Sequence, residues 1–177
     1  MPRKKILAVS GSTRKNSSNS ALLKTISGML PAFEFQFYEG VDRLPHFNPD
    51  LDTDPAPEAV MHFRQLLKAA DGVLICTPEY AMGVPGSLKN ALDWTVSSAD
   101  FSQKPTGLVT ASSVGEKAHA SLLETLSIIE AKLDPQAQLL IAHVKAKIAP
   151  DGSFKNEATE TQVKRFAAGF SALLADA

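Results

Sequence analysis

Two kinds of segment alternate along the chain and differ in how their apolar residues are spaced. Short unbroken apolar runs, such as V-L-I-C at residues 73–76, are typical of strands buried on both faces of a parallel sheet. Longer segments place an apolar residue at every third or fourth position, as Val60, Phe63 and Leu67 do, and this spacing predicts amphipathic helices. The alternation of strand and helix predicts an α/β fold built on a doubly wound parallel sheet.

Five strands and five helices follow from this pattern. The predicted strands cover residues 4–9, 34–38, 73–76, 106–111 and 139–142. The predicted helices cover residues 21–30, 58–70, 118–132 and 157–174, with another through Leu88, Ala91 and Leu92. Residues 40–57, rich in Pro and Asp, predict a long loop wrapped on the surface. Together these elements predict a three-layer α/β/α fold in a single domain spanning residues 1–177.

Polar loops follow the first, third and fourth predicted strands. Residues 10–20 are mostly Ser, Thr and Asn, residues 77–87 are interrupted by Pro and Gly, and residues 112–116 form a small polar turn. The carboxyl ends of parallel strands lie at one edge of a sheet, where open α/β sheets bind their ligands. The three loops therefore predict one site.

The loop at residues 10–20 has the composition of an anion site. Hydroxyl and amide side chains at a helix start, together with free backbone N–H groups, suit a phosphate, and Arg14 adds charge-assisted hydrogen bonds. Helix capping and turn formation favour the same residue types, so this alternative remains open. The loop has neither the G-x-G-x-x-G nor the G-x-x-x-x-G-K-[ST] spacing. A small monophosphate fits it better than a dinucleotide or a nucleoside triphosphate.

Composition and charge exclude several classes of protein. The formal net charge of −1 provides no field that would gather nucleic acid or an anionic membrane. No apolar run approaches the roughly 20 residues that span a bilayer, and the amino terminus lacks the apolar core of a signal peptide. The single Cys76 excludes an internal disulfide framework and a C-x-x-C pair. We expect a cytoplasmic protein with no nucleic-acid or membrane partner.

Two motifs resemble signatures of the NADPH-dependent FMN reductase family. Residues 11–19 are similar to its phosphate loop, G-S-x-R-x-x-S-x-N, and residues 78–94 are similar to P-E-Y-N-x-x-x-P-G-x-L-K-N-A-I-D-W. Each motif follows a predicted strand, in the family's order. Ala81 departs from the second pattern, which has Asn there, and the loop at residues 112–117 is less rich in glycine than the family's third loop. Three outcomes stay open for each change: a reshaped electron-acceptor pocket, weaker flavin binding, or little effect.

This resemblance implies a flavodoxin-like fold that binds FMN without a covalent bond. It further implies that NADPH or NADH reduces the flavin, which passes electrons in ping-pong order to quinones, free flavins, azo compounds or metal ions such as chromate. Homodimers or homotetramers are expected. The implied FMN-binding residues are Ser10, Ser12, Arg14, Ser17, Asn19 and Ser20 at the phosphate, Pro78, Glu79, Tyr80, Ala81, Met82 and Gly83 along the ribityl chain and ring, and Ser112, Ser113 and Gly115 beyond the ring.

The flavin would carry the chemistry, so the resemblance implies no catalytic acid–base pair and no metal. Backbone N–H groups of residues 79–83 are candidates to stabilise negative charge on a reduced ring. Glu79 is expected to brace its loop, and Tyr80 either to cover the ring or to pack within the loop. We expect Cys76 to be an inert core thiol, and Trp94 to lie either in the core or in a subunit interface.

Two other functions share this fold. A flavodoxin-type electron carrier would bind FMN but dock protein partners, usually through an acidic surface that the near-neutral charge does not provide. A redox-sensing protein would result if Ala81 marked a decayed site, which the retained phosphate-loop residues disfavour. A phosphatase with a similar sheet is excluded, because its C-x5-R motif would require Arg where Met82 follows Cys76.

Overall fold

A single sheet of five parallel strands, in the order β2-β1-β3-β4-β5, forms the middle layer of the computed structural model, which describes residues 3–176. The strands are β1 (Lys5–Ser10), β2 (Glu34–Tyr38), β3 (Gly72–Thr77), β4 (Thr106–Ala111) and β5 (Gln138–Ile141). This order defines the flavodoxin-like doubly wound sheet, so the predicted fold class is confirmed. Residues 1, 2 and 177 of the predicted domain lie outside the described residues.

Helices cover both faces of the sheet. They are α1 (Ser18–Gly28), α2 (Glu58–Ala69), α3 (Gly86–Asp93), α4 (Glu116–Ile128), α5 (Val144–Lys147) and α6 (Glu157–Ala175). Successive strand residues point to opposite faces, so Leu7 and Val9 pack with α2, α3 and α4, whereas Ile6 and Ala8 pack with α1 and α6. The result is one apolar core on each side of the sheet.

The central strand β3 is buried along its whole length, as its unbroken apolar sequence predicts. Each large side chain such as Leu74 or Ile75 contributes about 1.5–3 kcal/mol through burial. This rigid strand positions the loop that follows it.

Helix α4 begins at residue 116 and ends at residue 128, so the predicted span of 118–132 was wrong at both ends. Glu130 adopts the left-handed conformation, with φ of 62°. Its N–H donates to the Ser127 carbonyl over 3.0 Å, and the Ala131 N–H donates to the Leu126 carbonyl over 2.9 Å. These two bonds form a Schellman motif, which ends the helix although the apolar spacing continues to Leu133.

The loop at residues 40–57 is anchored more deeply than a surface loop. Val41, Leu44 and Ala56 are buried, and the Trp94 Nε1–H donates to the Pro45 carbonyl over 2.8 Å. The Trp94 ring is fully buried and meets the Phe47 ring edge to face, with centroids 5.0 Å apart. Of the two predicted locations for Trp94, the core is therefore correct.

Three short elements went unpredicted: α5 and the 3-10 turns at Pro49–Leu51 and Pro135–Ala137. Within residues 3–176, no helix combines the length and apolar character needed to cross a membrane.

Candidate functional site

A cavity of about 270 Å³ lies at the carboxyl edge of the sheet, where the loops after β1, β3 and β4 meet. Two residues that follow β5 complete its wall. The predicted site residues that line it are Ser12, Arg14, Ser17, Asn19, Pro78, Glu79, Tyr80, Ser112 and Ser113. Those outside its lining are Ser10, Ser20, Ala81, Met82, Gly83 and Gly115.

The β1–α1 loop lies directly against β3. The Gly11 N–H donates to the Cys76 carbonyl over 2.8 Å, and a Cβ at residue 11 would lie only 2.2 Å from Thr77 Oγ1. Only glycine permits this approach. Ser10 and Ser20 brace the loop from within, because the Ser20 hydroxyl donates to Ser10 Oγ over 3.1 Å.

The start of α1 combines a helix cap with unpaired donors. Ser17 Oγ accepts from the backbone N–H groups of Asn19 (3.2 Å) and Ser20 (3.5 Å), so Ser17 is the N-cap. In the described part of the chain, the backbone N–H groups of residues 15 and 16 donate to no protein acceptor, and Arg14 has no ion-pair partner. Capping therefore accounts for Ser17 and leaves a positive surface at the helix start.

Asn19 joins helix α1 to two of the strands, β3 and β4, from inside the cavity wall. Its side chain is only 5% exposed; Nδ2 donates to the Ala111 carbonyl over 3.3 Å, and Oδ1 accepts from the Cys76 thiol over 3.2 Å. Cys76 is completely buried, and burial raises the pKa of its thiol. The thiol is thus a neutral core group, as expected.

Residues 80–83 of the β3–α3 loop form a tight two-residue turn. Tyr80 and Gly83 exchange backbone hydrogen bonds of 3.0 Å in both directions, and Ala81 (φ 48°) and Met82 (φ 61°) both adopt the left-handed conformation. This geometry is that of a type I′ turn, which normally favours Asn and Gly. Tyr80, which lines the cavity, is 49% exposed, and Met82, which lies outside the lining, is 71% exposed.

The turn reduces the number of backbone N–H groups in residues 79–83 that are free to bind a ligand. The N–H groups of Tyr80 and Gly83 bond to each other's carbonyls, and the Glu79 N–H donates to Ser112 Oγ over 3.1 Å. Within the described chain, only Ala81 and Met82 retain unpaired N–H groups in residues 79–83. The predicted row of five donors is reduced to two.

Glu79 braces the neighbouring loop, as the sequence suggested. Its carboxylate accepts from the backbone N–H groups of Ala118 (2.9 Å) and Gly115 (3.1 Å) at the start of α4. The Ala118 N–H, more than any other group, lowers the pKa of this carboxyl. The negative charge of Glu79 is therefore directed at the helix terminus rather than at Arg14.

The β4–α4 loop turns at Gly115, whose φ is 100°. A Cβ there would lie 2.7 Å from Leu140 Cδ1 and 3.2 Å from Thr110 Cγ2. Thr110 in turn shares a 2.8 Å hydrogen bond with His119 Nδ1, and partial burial lowers the pKa of His119. Gly115 therefore determines the path of the loop, although it lies outside the cavity lining.

Val144 and Lys145 are cavity residues that the sequence analysis missed. They follow β5, whose carboxyl end lies at the same edge of the sheet as the other three. Because the carboxyl ends of parallel strands lie at one edge of the sheet, the same reasoning that grouped the three polar loops also applies to the residues after the fifth strand. No cluster of three or more His, Cys, Asp or Glu side chains able to hold a metal occurs among residues 3–176.

Comparisons with known proteins find matches along most of the chain. The family model described as NADPH-dependent FMN reductase matches residues 4–146. A 2-hydroxy-1,4-benzoquinone reductase from a Burkholderia species is 34% identical over 97% of this chain and 97% of its own. The flavoenzyme NAD(P)H:(acceptor) oxidoreductase FerB from Paracoccus denitrificans superposes with a TM-score of 0.80 and 28% identity over 98% of each chain.

An archaeal flavodoxin superposes with a TM-score of 0.66 over 97% of this chain, but its 13% identity shows the shared fold alone. The family model and the full-length relative go further, because both rest on the sequence along most of the chain. The chain belongs to the NADPH-dependent FMN reductase family and is an FMN-dependent NAD(P)H oxidoreductase.

Proposed function

We propose that the cavity at the carboxyl edge of the sheet is where FMN binds, and that the enzyme delivers electrons from NADPH or NADH to quinones. The observation that carries this proposal is the start of α1, where Arg14 and Ser17 line one cavity and the adjacent backbone N–H groups of residues 15 and 16 donate to no protein acceptor. A phosphate group there would meet both a full positive charge and a helix terminus.

The phosphate end of the cofactor is assigned to Ser12, Arg14, Ser17 and the adjoining backbone. Ser10 and Ser20 hold the loop that presents these groups, and Asn19 ties the loop to β3 and β4. These three act as positioning residues, because the hydrogen bonds of their side chains are made within the protein.

The ribityl chain and ring are assigned to the β3–α3 and β4–α4 loops. Pro78 restricts the backbone, and a Cβ at Gly83 would meet no atom nearer than the Tyr80 carbonyl oxygen at 3.8 Å, so the turn leaves room for a flat group. Ser112 and Ser113 line the same cavity from the β4–α4 loop, and Gly115 sets the turn that places them.

When bound, FMN would supply the redox chemistry that links the nicotinamide to the acceptor. The chain's own contribution is to bind and orient. The Ala81 and Met82 N–H groups are the donors left to offset negative charge beside the loop, and the exposed Tyr80 and Met82 side chains offer an apolar rim for a planar acceptor. Because the reductant and the acceptor would bind at the same rim one after the other, we expect ping-pong kinetics.

Quinones are the preferred acceptor class because of the Burkholderia relative, which covers nearly the whole chain. Free flavins, azo compounds and chromate are the further acceptors to screen. A homodimer or homotetramer and a cytoplasmic location complete the proposal. Light scattering after size-exclusion chromatography and cell fractionation, respectively, test these two points.

The first test is a visible absorption spectrum of the purified protein, before and after anaerobic addition of NADPH or NADH. We expect a flavin spectrum that bleaches and that returns when a benzoquinone is added. Flavin that neither nucleotide bleaches would instead indicate a flavodoxin-type carrier reduced by another protein. A colourless protein that does not take up added FMN would refute the assigned cavity.

Arg14→Ala tests the phosphate end. Loss of a hydrogen bond to a charged group costs about 1.5–3 kcal/mol, so the FMN dissociation constant should rise by roughly 10- to 150-fold. Lys15→Ala is the matched control, because Lys15 is the adjacent cation and does not line the cavity. Equal effects of the two substitutions, measured by equilibrium dialysis, would contradict the assignment.

A further inference from the structure

We infer that Lys145, which follows β5, is a second cationic ligand that forms a clamp with Arg14 around a phosphate monoester. This inference rests on the proposed FMN site and extends it to a strand that no sequence motif marks. Lys145 lines the same cavity as Arg14, Ser12 and Ser17. It reaches this cavity from the opposite end of the sheet edge, since β1 and β5 are separated by β3 and β4.

The position of Lys145 is fixed by the backbone around it. The His143 and Val144 N–H groups donate to the Ser113 and Ser112 carbonyls over 3.0 and 2.9 Å, which fastens the start of α5 to the β4–α4 loop. Val144 is buried in the core below. Lys145 is therefore presented at the cavity by an anchored turn.

A second anchor lies on the far side of α5. The Lys155 Nζ donates to the Lys145 carbonyl over 2.7 Å, and the Lys155 N–H donates to the Lys147 carbonyl over 2.8 Å. These contacts hold the short helix from the side away from β4. They also place another ammonium group close to Lys145, which adds to the positive potential.

The cavity holds positive charge that the protein does not neutralise. Among the described residues, neither Lys145 nor Arg14 forms an ion pair. Glu79 is the one acidic residue in the cavity lining, and its carboxylate is held by the Gly115 and Ala118 N–H groups. Two unneutralised cations in one polar cavity indicate an anionic ligand.

The chemistry recognised is a phosphate monoester, which two molecules of this reaction can supply. One is the 5′-phosphate of FMN and the other is the 2′-phosphate of NADPH. A second cavity, lined also by His143 and Ala146, shares Ser113, Val144 and Lys145 with the first. Lys145 thus lines both cavities, and the test must separate the two sources of phosphate.

The variants are Lys145→Gln, Lys145→Arg and Lys147→Gln. Lys147→Gln is the matched control, because it removes the same charge from the same helical turn at a residue that lines neither cavity. Equilibrium dialysis of each full-length protein against FMN, and separately against riboflavin, measures the contribution of the flavin phosphate. Steady-state kinetics of the FMN-loaded protein with NADPH and with NADH measures that of the 2′-phosphate.

We expect Lys145→Gln to raise the FMN dissociation constant about tenfold, the equivalent of ~1.4 kcal/mol, while riboflavin affinity is unchanged and Lys145→Arg restores FMN binding. An unchanged FMN affinity with a raised KM for NADPH, but not for NADH, would support the clamp and identify the nicotinamide nucleotide as its ligand. The inference is overturned if Lys145→Gln changes neither the affinities for FMN and riboflavin nor the KM for NADPH. It is also overturned if the affinities for FMN and riboflavin fall equally, or if Lys147→Gln has the same effect as Lys145→Gln. Wild-type binding of FMN reports separately on the proposed function.

Discussion

Glu79 lines the cavity at the carboxyl edge of the sheet, yet the hydrogen bonds of its carboxylate join the β3–α3 loop to the start of α4. It stabilises the fold much as an N-cap does, because it satisfies N–H groups that a helix start leaves unpaired. We predict that Glu79→Gln lowers the free energy of unfolding by about 0.5–1 kcal/mol, the lower part of the capping range, because the group is partly exposed to solvent. Urea denaturation measures this, with the exposed Glu124→Gln in α4 as control.

The contribution of Glu79 to the free energy of unfolding decreases as the pH falls. Its pKa in the folded protein lies below the ordinary value of 4.5, so the unfolded chain binds the proton more tightly. The stabilisation is therefore complete above the unfolded pKa and is lost as the pH falls through the folded pKa. The difference in unfolding free energy between wild type and Glu79→Gln should shrink at acid pH. A difference that stays constant down to pH 3 would show that the charge contributes nothing.

Ala81 occupies a backbone conformation that suits Asn or Gly. Its φ of 48° costs an L-residue roughly 1–2 kcal/mol, and Asn lowers this cost through local hydrogen bonds. We predict that Ala81→Asn raises the free energy of unfolding by about 0.5–1 kcal/mol and leaves FMN affinity intact. Ala32→Asn, in an exposed turn without positive φ, is the control. Weaker FMN binding in the Ala81 variant would instead show that the smaller side chain is needed beside the flavin.

At the scale of the element, the β4–α4 loop depends on a glycine that no other residue replaces. At Gly115 a Cβ would combine a φ of 100° with a 2.7 Å contact to Leu140 Cδ1. We predict that Gly115→Ala destabilises the protein by at least about 2 kcal/mol and weakens FMN binding, because Ser112 and Ser113 move with the loop.

Gly28→Ala provides the contrast for this prediction. Gly28 is the last residue of α1, and a Cβ there would meet no atom within 4 Å. Alanine at this position should leave stability unchanged or raise it by up to about 1 kcal/mol. Thermal or urea unfolding of both variants measures the difference. Similar values for the two would show that the loop at residue 115 relaxes without cost.

Most element types could be predicted from apolar spacing, and most errors lie at helix ends. The end of α4 is set by the Schellman hydrogen bonds around Glu130, a residue that rarely adopts positive φ and so gives no signal in sequence. The anchoring of the loop at residues 40–57 depends on Pro45 and Trp94 meeting across the fold. Local spacing reports on neither.

At the scale of the whole molecule, the parts of the candidate site that consecutive residues form could be predicted, and the parts that the fold brings together could not. The phosphate loop and the loop after β3 could be identified because each carries its motif in consecutive residues. Lys145 could not, since its relation to Arg14 exists only once the sheet order brings the ends of β1 and β5 to one edge. The separate roles of the residues in the phosphate loop could not be predicted either. The sequence does not show which way the side chains of Ser10, Ser17, Asn19 and Ser20 point.

Global stability should fall in mildly acid solution through His119, which joins α4 to the sheet. Partial burial lowers its pKa from the ordinary 6.5, so between the folded and unfolded pKa values the unfolded chain binds more protons. The free energy of unfolding is then unaffected above about pH 7.5 and decreases as the pH falls below 6.5, a window distinct from that of Glu79.

The variant His119→Gln isolates this effect. Loss of the 2.8 Å hydrogen bond to Thr110 should lower stability by about 1 kcal/mol at pH 8, where the imidazole is neutral. Between pH 8 and pH 5.5, however, the variant should lose less stability than the wild type, because it has no side chain to protonate at this position. His62→Gln, on the exposed face of α2, is the control substitution. Parallel curves for wild type and His119→Gln would mean that the imidazole accepts a proton without disturbing its contact with β4, and that the acid sensitivity originates elsewhere.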